Sequence, residues 1–296
     1  MTWLALLAST VFAAAPAGVL VMAHGGDEAW NRAVHETVAP LEKRVPVELA
    51  FGMADADTLQ AAVSRLEAKG VRRISVVRLF VSGDSFLKRT RKILGLDPGA
   101  PPKPEGHEHH AGHHGGSMPS FHDPDTMPLW RVTTKSRIVV DPKGLQDGDE
   151  SARILAERAA ALSKDPAKES VLVLAHGAGD EAENARVHER MEQVAAQIRE
   201  AKPFREVRVE TLREDWPAKR KEAEARIREY VAAASKNGSV LVIPYRVYGF
   251  GPYADTLEGL KYVSDGKGLV PHPLVGQWLL ERVTESFKTA GWSDAL

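Results

Sequence analysis

The sequence predicts an α/β fold built from two similar units, each a parallel sheet flanked by helices. Three observations carry that prediction. An opening segment occurs twice: Val19-Leu20-Val21-Met22-Ala23-His24-Gly25 is matched by Val171-Leu172-Val173-Leu174-Ala175-His176-Gly177. A closing segment also occurs twice, with Gly144-Leu145 and Glu157-Arg158 matched by Gly268-Leu269 and Glu281-Arg282 at one offset. Between them, short β-branched runs alternate with amphipathic stretches, the signature of parallel strands joined by crossover helices.

The elements follow in order. Val19–Ala23 is short, apolar and bounded by glycine, so it reads as a strand buried on both faces. Residues 27–44 have helical periodicity, and Asp27 is placed to cap that helix. Val47–Phe51 is a second strand, and Asp57 to Lys69 a helix closed by Gly70 in a left-handed turn. Ile74–Val81 is a third strand, Arg137–Val140 a fourth, and Asp149 to Ser163 the last helix of the first unit. The second unit repeats the plan with Val171–Ala175, Glu181–Ala201, Val207–Thr211, Pro217–Ser235, Val240–Pro244 and Leu274–Ala290. The units are therefore expected at 18–165 and 166–296. Residues 98–128, rich in Pro, Gly and His without an apolar period, read as a surface insertion in the first.

With 296 residues, 43% hydrophobic and 27% charged, the chain can bury one large core or two moderate ones. A net charge of -1 and the lack of a long basic run argue against a nucleic-acid partner. No cysteine is present, which excludes disulfides, thiolate metal sites and cysteine nucleophiles. No phosphate-binding glycine loop appears, so no nucleotide is expected. Residues 3–15 form an apolar run too short to span a bilayer, followed by small residues at Ala15 and Ala17. Residues 1–17 are accordingly read as a signal peptide with a weak positive region, and the mature chain as periplasmic or secreted, without a stable membrane span.

His24 and His176 are the first candidates for chemistry. Each stands at the carboxyl end of a first strand, where open parallel sheets place their ligands, and each precedes a glycine that lets the backbone turn. Asp27, Asn31 and His35 share one helical face, and Asp180, Asn184 and His188 repeat the spacing. The two asparagines can reach back to the histidine loops, while His35 and His188 read as part of a solvated stripe. Gly83 and Gly249, after the third strands, would allow a ligand to approach closely. Aromatic residues of the second of these loops, Tyr253 among them, could pack on a flat ligand or equally belong to the core. His107, His109, His110, His113 and His114 form a metal-affinity tract within the insertion, suited to capture or buffering of Ni, Cu, Zn or Co.

Taken together, the strand, the Ala-His-Gly and the Asp and Asn of the next helix resemble the opening of the sirohydrochlorin cobaltochelatases and ferrochelatases, the class II tetrapyrrole chelatases. Val45-Pro46-Val47-Glu48-Leu49-Ala50-Phe51, Gly70-Val71-Arg72-Arg73-Ile74 and Gly268-Leu269-Val270-Pro271-His272-Pro273-Leu274-Val275 look like that family too. The resemblance covers nearly all of residues 18–296 and implies a chelatase fold, two α/β units with four-stranded sheets around a cleft. It implies a lyase that inserts a divalent metal, Co(II) foremost, with Fe(II) or Ni(II) as further candidates, into a sirohydrochlorin-type tetrapyrrole. His24 and His176 would be the catalytic and metal-holding residues. Asn31, Asn184, Gly83, Gly249 and Tyr253 would contact the macrocycle. The family's second active-site histidine falls at Phe86 and Pro252, so neither copy carries it. The alternative expectation is an exported carrier of metal or tetrapyrrole that keeps the fold without turnover.

Overall fold

The computed structural model describes residues 16–105, 127–292 and 295. Residues 1–15 of the expected signal peptide and the histidine tract at 107–114 lie outside that set. In chain order the first unit comprises β1 (Ala17–Ala23), α1 (Glu28–Glu42), β2 (Val47–Phe51), α2 (Ala56–Ala68), β3 (Arg73–Leu79), α3 (Leu87–Ile93), β4 (Arg137–Val140) and α4 (Asp149–Leu162). The second comprises β5 (Glu169–Ala175), α5 (Glu181–Ala201), β6 (Glu206–Thr211), α6 (Pro217–Ala234), β7 (Ser239–Tyr245), α7 (Tyr253–Thr256) and α8 (Pro273–Thr289). Ala17, read as the end of the signal peptide, is the first residue of β1.

Both sheets are parallel, with the first strand of each unit in the middle: β2-β1-β3-β4 and β6-β5-β7. The registers match, Val19 lying against Val47 and Ser75 as Val171 lies against Val207 and Leu241. All seven residues of β1 and of β5 are buried, which is why these strands read as continuous apolar runs. Gly70 closes α2 at φ 84, as its position predicts.

The second sheet departs from the expected four strands. Where the first unit has β4, the second has one bridge, with Val242 N–H donating to Val263 and Val263 N–H to Val240. In the residues that follow, Gly266 N–H donates to the Ser264 hydroxyl at 3.1 Å.

The likeness of the two units nevertheless extends into the loops. Asp141-Pro142-Lys143-Gly144-Leu145 corresponds to Asp265-Gly266-Lys267-Gly268-Leu269, and each aspartate accepts from the lysine N–H two residues on, at 2.9 and 3.1 Å. Leu145 N–H donates to Phe80 O at 2.9 Å, and Leu269 N–H to Arg246 O at 2.8 Å. Gly144 and Gly268 pass backbone against backbone over the loops after the third strands. An added Cβ would stand 2.4 Å from Gly83 N or 2.3 Å from Tyr248 Cα.

The last helix of each unit packs on the other unit. α4 lies on α5 and β7, and α8 lies on α1 and β3. Tyr245 of β7 meets Ser151 of α4 at 2.8 Å, and Ser75 of β3 bonds Ser286 of α8 at 2.7 Å. Arg158 of α4 approaches Asp265 at 3.8 Å while Arg282 of α8 approaches Asp141 at 3.9 Å, the same bridge made twice. One apolar core, holding β1, β5, α1, α4, α5 and α8, therefore runs between the sheets. Two smaller cores fill the outer faces beneath α2 and α6. Among the described residues no helix is long and apolar enough to cross a membrane.

Candidate functional site

His24 and His176 each follow the last residue of a central strand. In both, ring Nδ1 lies on the carbonyl of the next glycine, Gly25 O at 2.7 Å and Gly177 O at 2.8 Å. A carbonyl oxygen only accepts, so Nδ1 carries the proton, which leaves Nε2 as the nitrogen able to meet another partner. Gly25 and Gly177 sit at φ 81 and 82, a turn that a side chain would strain. Asp27 and Asp180 cap the helices that follow, accepting from Trp30 N–H at 2.8 Å and Glu183 N–H at 2.9 Å. Asn31 and Asn184 reach back as expected, accepting from Gly26 N–H at 3.1 Å and Ala178 N–H at 3.0 Å. Their amides are thus spent on the loops that aim the histidines.

The second site is more elaborate. His176 Nε2 lies 3.1 Å from Asp215 Oδ2. Burial works against charge on this ring, but the Asp215 hydrogen bond, the charges of Glu214 and Asp215 and the Gly177 carbonyl outweigh it, and its pKa is raised above 6.5. Both ring nitrogens face oxygen acceptors, an arrangement that suits the imidazolium. Asp215 is held below 3.8 first by its hydrogen bond to His176, against burial, and then by the charges of His176, His24 and Arg246. His176 touches Asp215 directly, while the charge of His24 reaches it only through space.

Beneath this pair, Glu214 is ion-paired with Arg246, whose guanidinium lies over the Tyr253 ring, 5.3 Å from its centroid. Burial opposes charge on Arg246, but Tyr253 and Glu214 hold its pKa above the usual range. Arg213, buried and left-handed at φ 59, donates to Gly179 O at 2.9 Å and to both oxygens of Glu181 at 3.1 Å. Its own N–H bonds His176 O at 2.7 Å. The acid loop at 213–216 is thereby buckled to the His176 loop at both backbone and side chain.

Of the three loop residues expected at the macrocycle, two take other roles. Tyr253 is 0% exposed and supports Arg246, so it is core and not a wall of an open cleft. Gly83 is buried where Gly144 crosses it, with Pro142 O 2.8 Å from where a Cβ would be, so its missing side chain serves loop packing. Gly249, at φ 64 with nothing within 4 Å of a Cβ, does lie in an open loop. At the positions of the family's second histidine, Phe86 packs on Phe80 with ring centroids 5.5 Å apart, and Pro252 starts α7. Local sequence patterning does not single out Glu214, Asp215 and Arg246. The available signal was an acidic pair directly after β6, at the ligand-facing edge of the sheet. Among the described residues no three His, Asp or Glu side chains stand close enough to hold a metal by themselves.

Residues 18–94 match the family model described as CbiX. Solved chelatase structures share the chain's fold. SirB from Bacillus subtilis with Fe3+ is similar over 93% of this chain and 98% of its own, with a TM-score of 0.60 at 13% identity. SirB from Bacillus subtilis subspecies spizizenii, in complex with cobalt, gives 0.57 at 13% identity over 93% of this chain and 96% of that one. DR2241 from Deinococcus radiodurans, a multi-domain protein with structural similarity to chelatases, gives 0.55 at 18% identity, over 92% of this chain and 55% of that protein. No curated protein matches the chain. The chelatase-like α/β fold read from the sequence is borne out.

Proposed function

We propose that this chain is a metal chelatase that inserts a divalent ion, cobalt or iron(II), into a sirohydrochlorin-type tetrapyrrole. The observation that supports it is the contact of His176 Nε2 with the Asp215 carboxylate at 3.1 Å, at the end of a strand whose counterpart in the first unit carries His24. A separation of 3.1 Å between Nε2 and Oδ2 suits two neighbouring ligands of one first-row ion. With bonds of about 2.1 Å the angle between them at the metal is about 95°. The incoming metal takes the place of the proton between His176 and Asp215. Once it passes to the macrocycle, Nε2 and the carboxylate are again open to take up a pyrrole proton.

Purified protein mixed with sirohydrochlorin and Co(II) should shift the tetrapyrrole absorbance faster than metal alone. His176→Ala should slow that rate about 100-fold and His24→Ala less, because Asp215 remains with His176. A rate equal to the metal-only control overturns turnover.

One observation favours a second reading, an exported metal or tetrapyrrole carrier. Phe86 and Pro252 are committed to packing and to a helix start, so the family's second histidine is not replaced in place. The signal-peptide reading of residues 1–17 and the histidine tract support export and metal capture. A carrier would bind Co(II) or Ni(II) without insertion, and deletion of residues 106–114 would lower the metal stoichiometry while leaving the His176 site.

A further inference from the structure

The chain has six tryptophans, of which Trp3 lies outside the described residues. Trp130, Trp278 and Trp292 are core residues, 2%, 1% and 2% exposed. The two that remain are half-buried, and each is in ring contact with a site histidine. Trp30 lies 6.3 Å from His24, and Trp216 lies 5.9 Å from His176 in an edge-on arrangement.

Duplication does not account for this pair. Trp30 is on the first turn of α1, where the second unit has Glu183 three residues after the matching cap Asp180. Trp216 is the residue before α6, where the first unit has Asp55 before α2. The same neighbour has been supplied to each histidine from a different place in the fold. Both indoles also lie on a glycine of the histidine loop. A Cβ on Gly26 would stand 3.2 Å from the Trp30 ring, and one on Gly179 would stand 2.2 Å from the Trp216 ring. The rings are set by the loops that aim the imidazoles. On the first side the aromatic surface continues across the unit boundary, with Tyr248 6.1 Å and Phe51 6.4 Å from Trp30.

A pair of half-buried indoles, each beside a strand-end imidazole, suits one class of ligand, a flat conjugated ring with nitrogen donors at its centre. We infer that Trp30 and Trp216 are the aromatic walls against which a planar macrocycle lies while its central nitrogens face His24 and His176. This rests on the tetrapyrrole reading above and names the residues that would hold the substrate independently of the metal.

The test is binding of metal-free sirohydrochlorin, followed by its absorbance, to the full chain and to Trp30→Leu, Trp216→Leu and the double variant. Each single change should weaken binding about 5-fold and the double change at least about 20-fold, since a base or ring stacked on one aromatic contributes of this order. Trp30→Phe and Trp216→Phe keep a ring and should restore most of the affinity. That recovery separates stacking from any loss of fold, with the melting temperature as a check. Unchanged affinity in the double variant overturns the walls. If cobalt insertion also persists there, the chelatase reading stands without them. Tight, indole-dependent binding with no insertion in the parent protein leaves the walls and removes turnover. No binding by the parent removes both.

Discussion

The two histidine loops share a backbone and differ in what surrounds it. Both turn at a glycine with φ near 80, both lock Nδ1 on a carbonyl, and both are steadied by an asparagine from the next helix. Only the His176 loop is buckled to an acidic loop by Arg213, with Asp215 at 3.1 Å and Glu214 neutralised by Arg246. In the first unit, Glu28, the counterpart of Glu181, pairs with exposed Arg32 of its own helix. In the corresponding loop of the first unit, Met53 and Ala54 precede Asp55, whose carboxylate caps α2 by accepting from Asp57 N–H at 2.7 Å and Thr58 N–H at 3.1 Å. Buried Arg78 of the first unit instead ties down backbone, donating to Gly83 O at 2.7 Å, Ser85 O at 2.6 Å and Pro142 O at 2.9 Å. Burial lowers its pKa to about 10, against the pull of Asp141, Asp84 and Asp147. The two units share the part of the site that aims an imidazole and differ in the part that surrounds it.

The largest effects test the shared frame. Gly144→Ala and Gly268→Ala each put a methyl group within 2.4 Å of backbone atoms that have no room to give. Each should cost roughly 3 kcal/mol in denaturant unfolding. Similar losses mean that the two loop crossings are equivalent in energy as well as geometry. A large loss in one and none in the other breaks the symmetry of the frame.

A smaller effect tests the difference. Asp215→Asn keeps the shape of the side chain and removes the carboxylate that raises the His176 pKa. The His176 pKa should fall, and Co(II) affinity should drop about 10- to 100-fold. The titration of the ring by NMR and calorimetry with Co(II) measure the two. In the parent protein the raised pKa means that Co(II) must displace a proton, so affinity should climb as pH rises through it. If Asp215→Asn changes neither quantity, the acid loop has no part in metal binding and the two sites are chemically alike.

How much of this was legible in the sequence depends on the range of the interaction. β-branched runs such as Val171–Val173, caps such as Asp27 and turns such as Gly70 report on neighbours a few residues away, and they fell where the periodicity put them. The paired Ala-His-Gly marked the strand ends because a repeat is visible without a structure. The Asp215–His176 contact joins two crossover units of chain, and nothing local distinguishes Asp215 from a solvated loop acid. The exchange of α4 and α8 was hidden for the same reason, since an amphipathic helix shows that it has a buried face and not which sheet covers it. Tyr253 shows the converse. Its position in a glycine-rich loop fits a ligand contact, while its ring is 0% exposed beside Arg246.

The smallest effect concerns a third histidine, His272, which begins the exchanged helix α8. Its Nδ1 accepts from Leu274 N–H at 3.2 Å, so the cap exists only while that nitrogen is unprotonated, and Nε2 lies 3.4 Å from Glu157. Burial lowers its pKa below 6.5; Glu157 opposes that shift, and Arg158 and Arg153 add to it. A lowered folded-state pKa means that the stabilisation is present above 6.5 and is lost as pH falls through the folded value. His176 has the opposite sign, with a contribution present below 6.5 and lost as pH rises through its raised value. His272→Asn should cap without titrating and so remove the acid-side loss. His272→Ala should cost about 1 kcal/mol at neutral pH and remove the same step. Urea unfolding at a series of pH values reads both. An acid-side loss unchanged in His272→Asn would assign it to other groups and leave the cap with no pH dependence of its own. If the loss disappears, two histidines of one chain set stability in opposite directions, because one faces a carboxylate at the site and the other faces a helix amide.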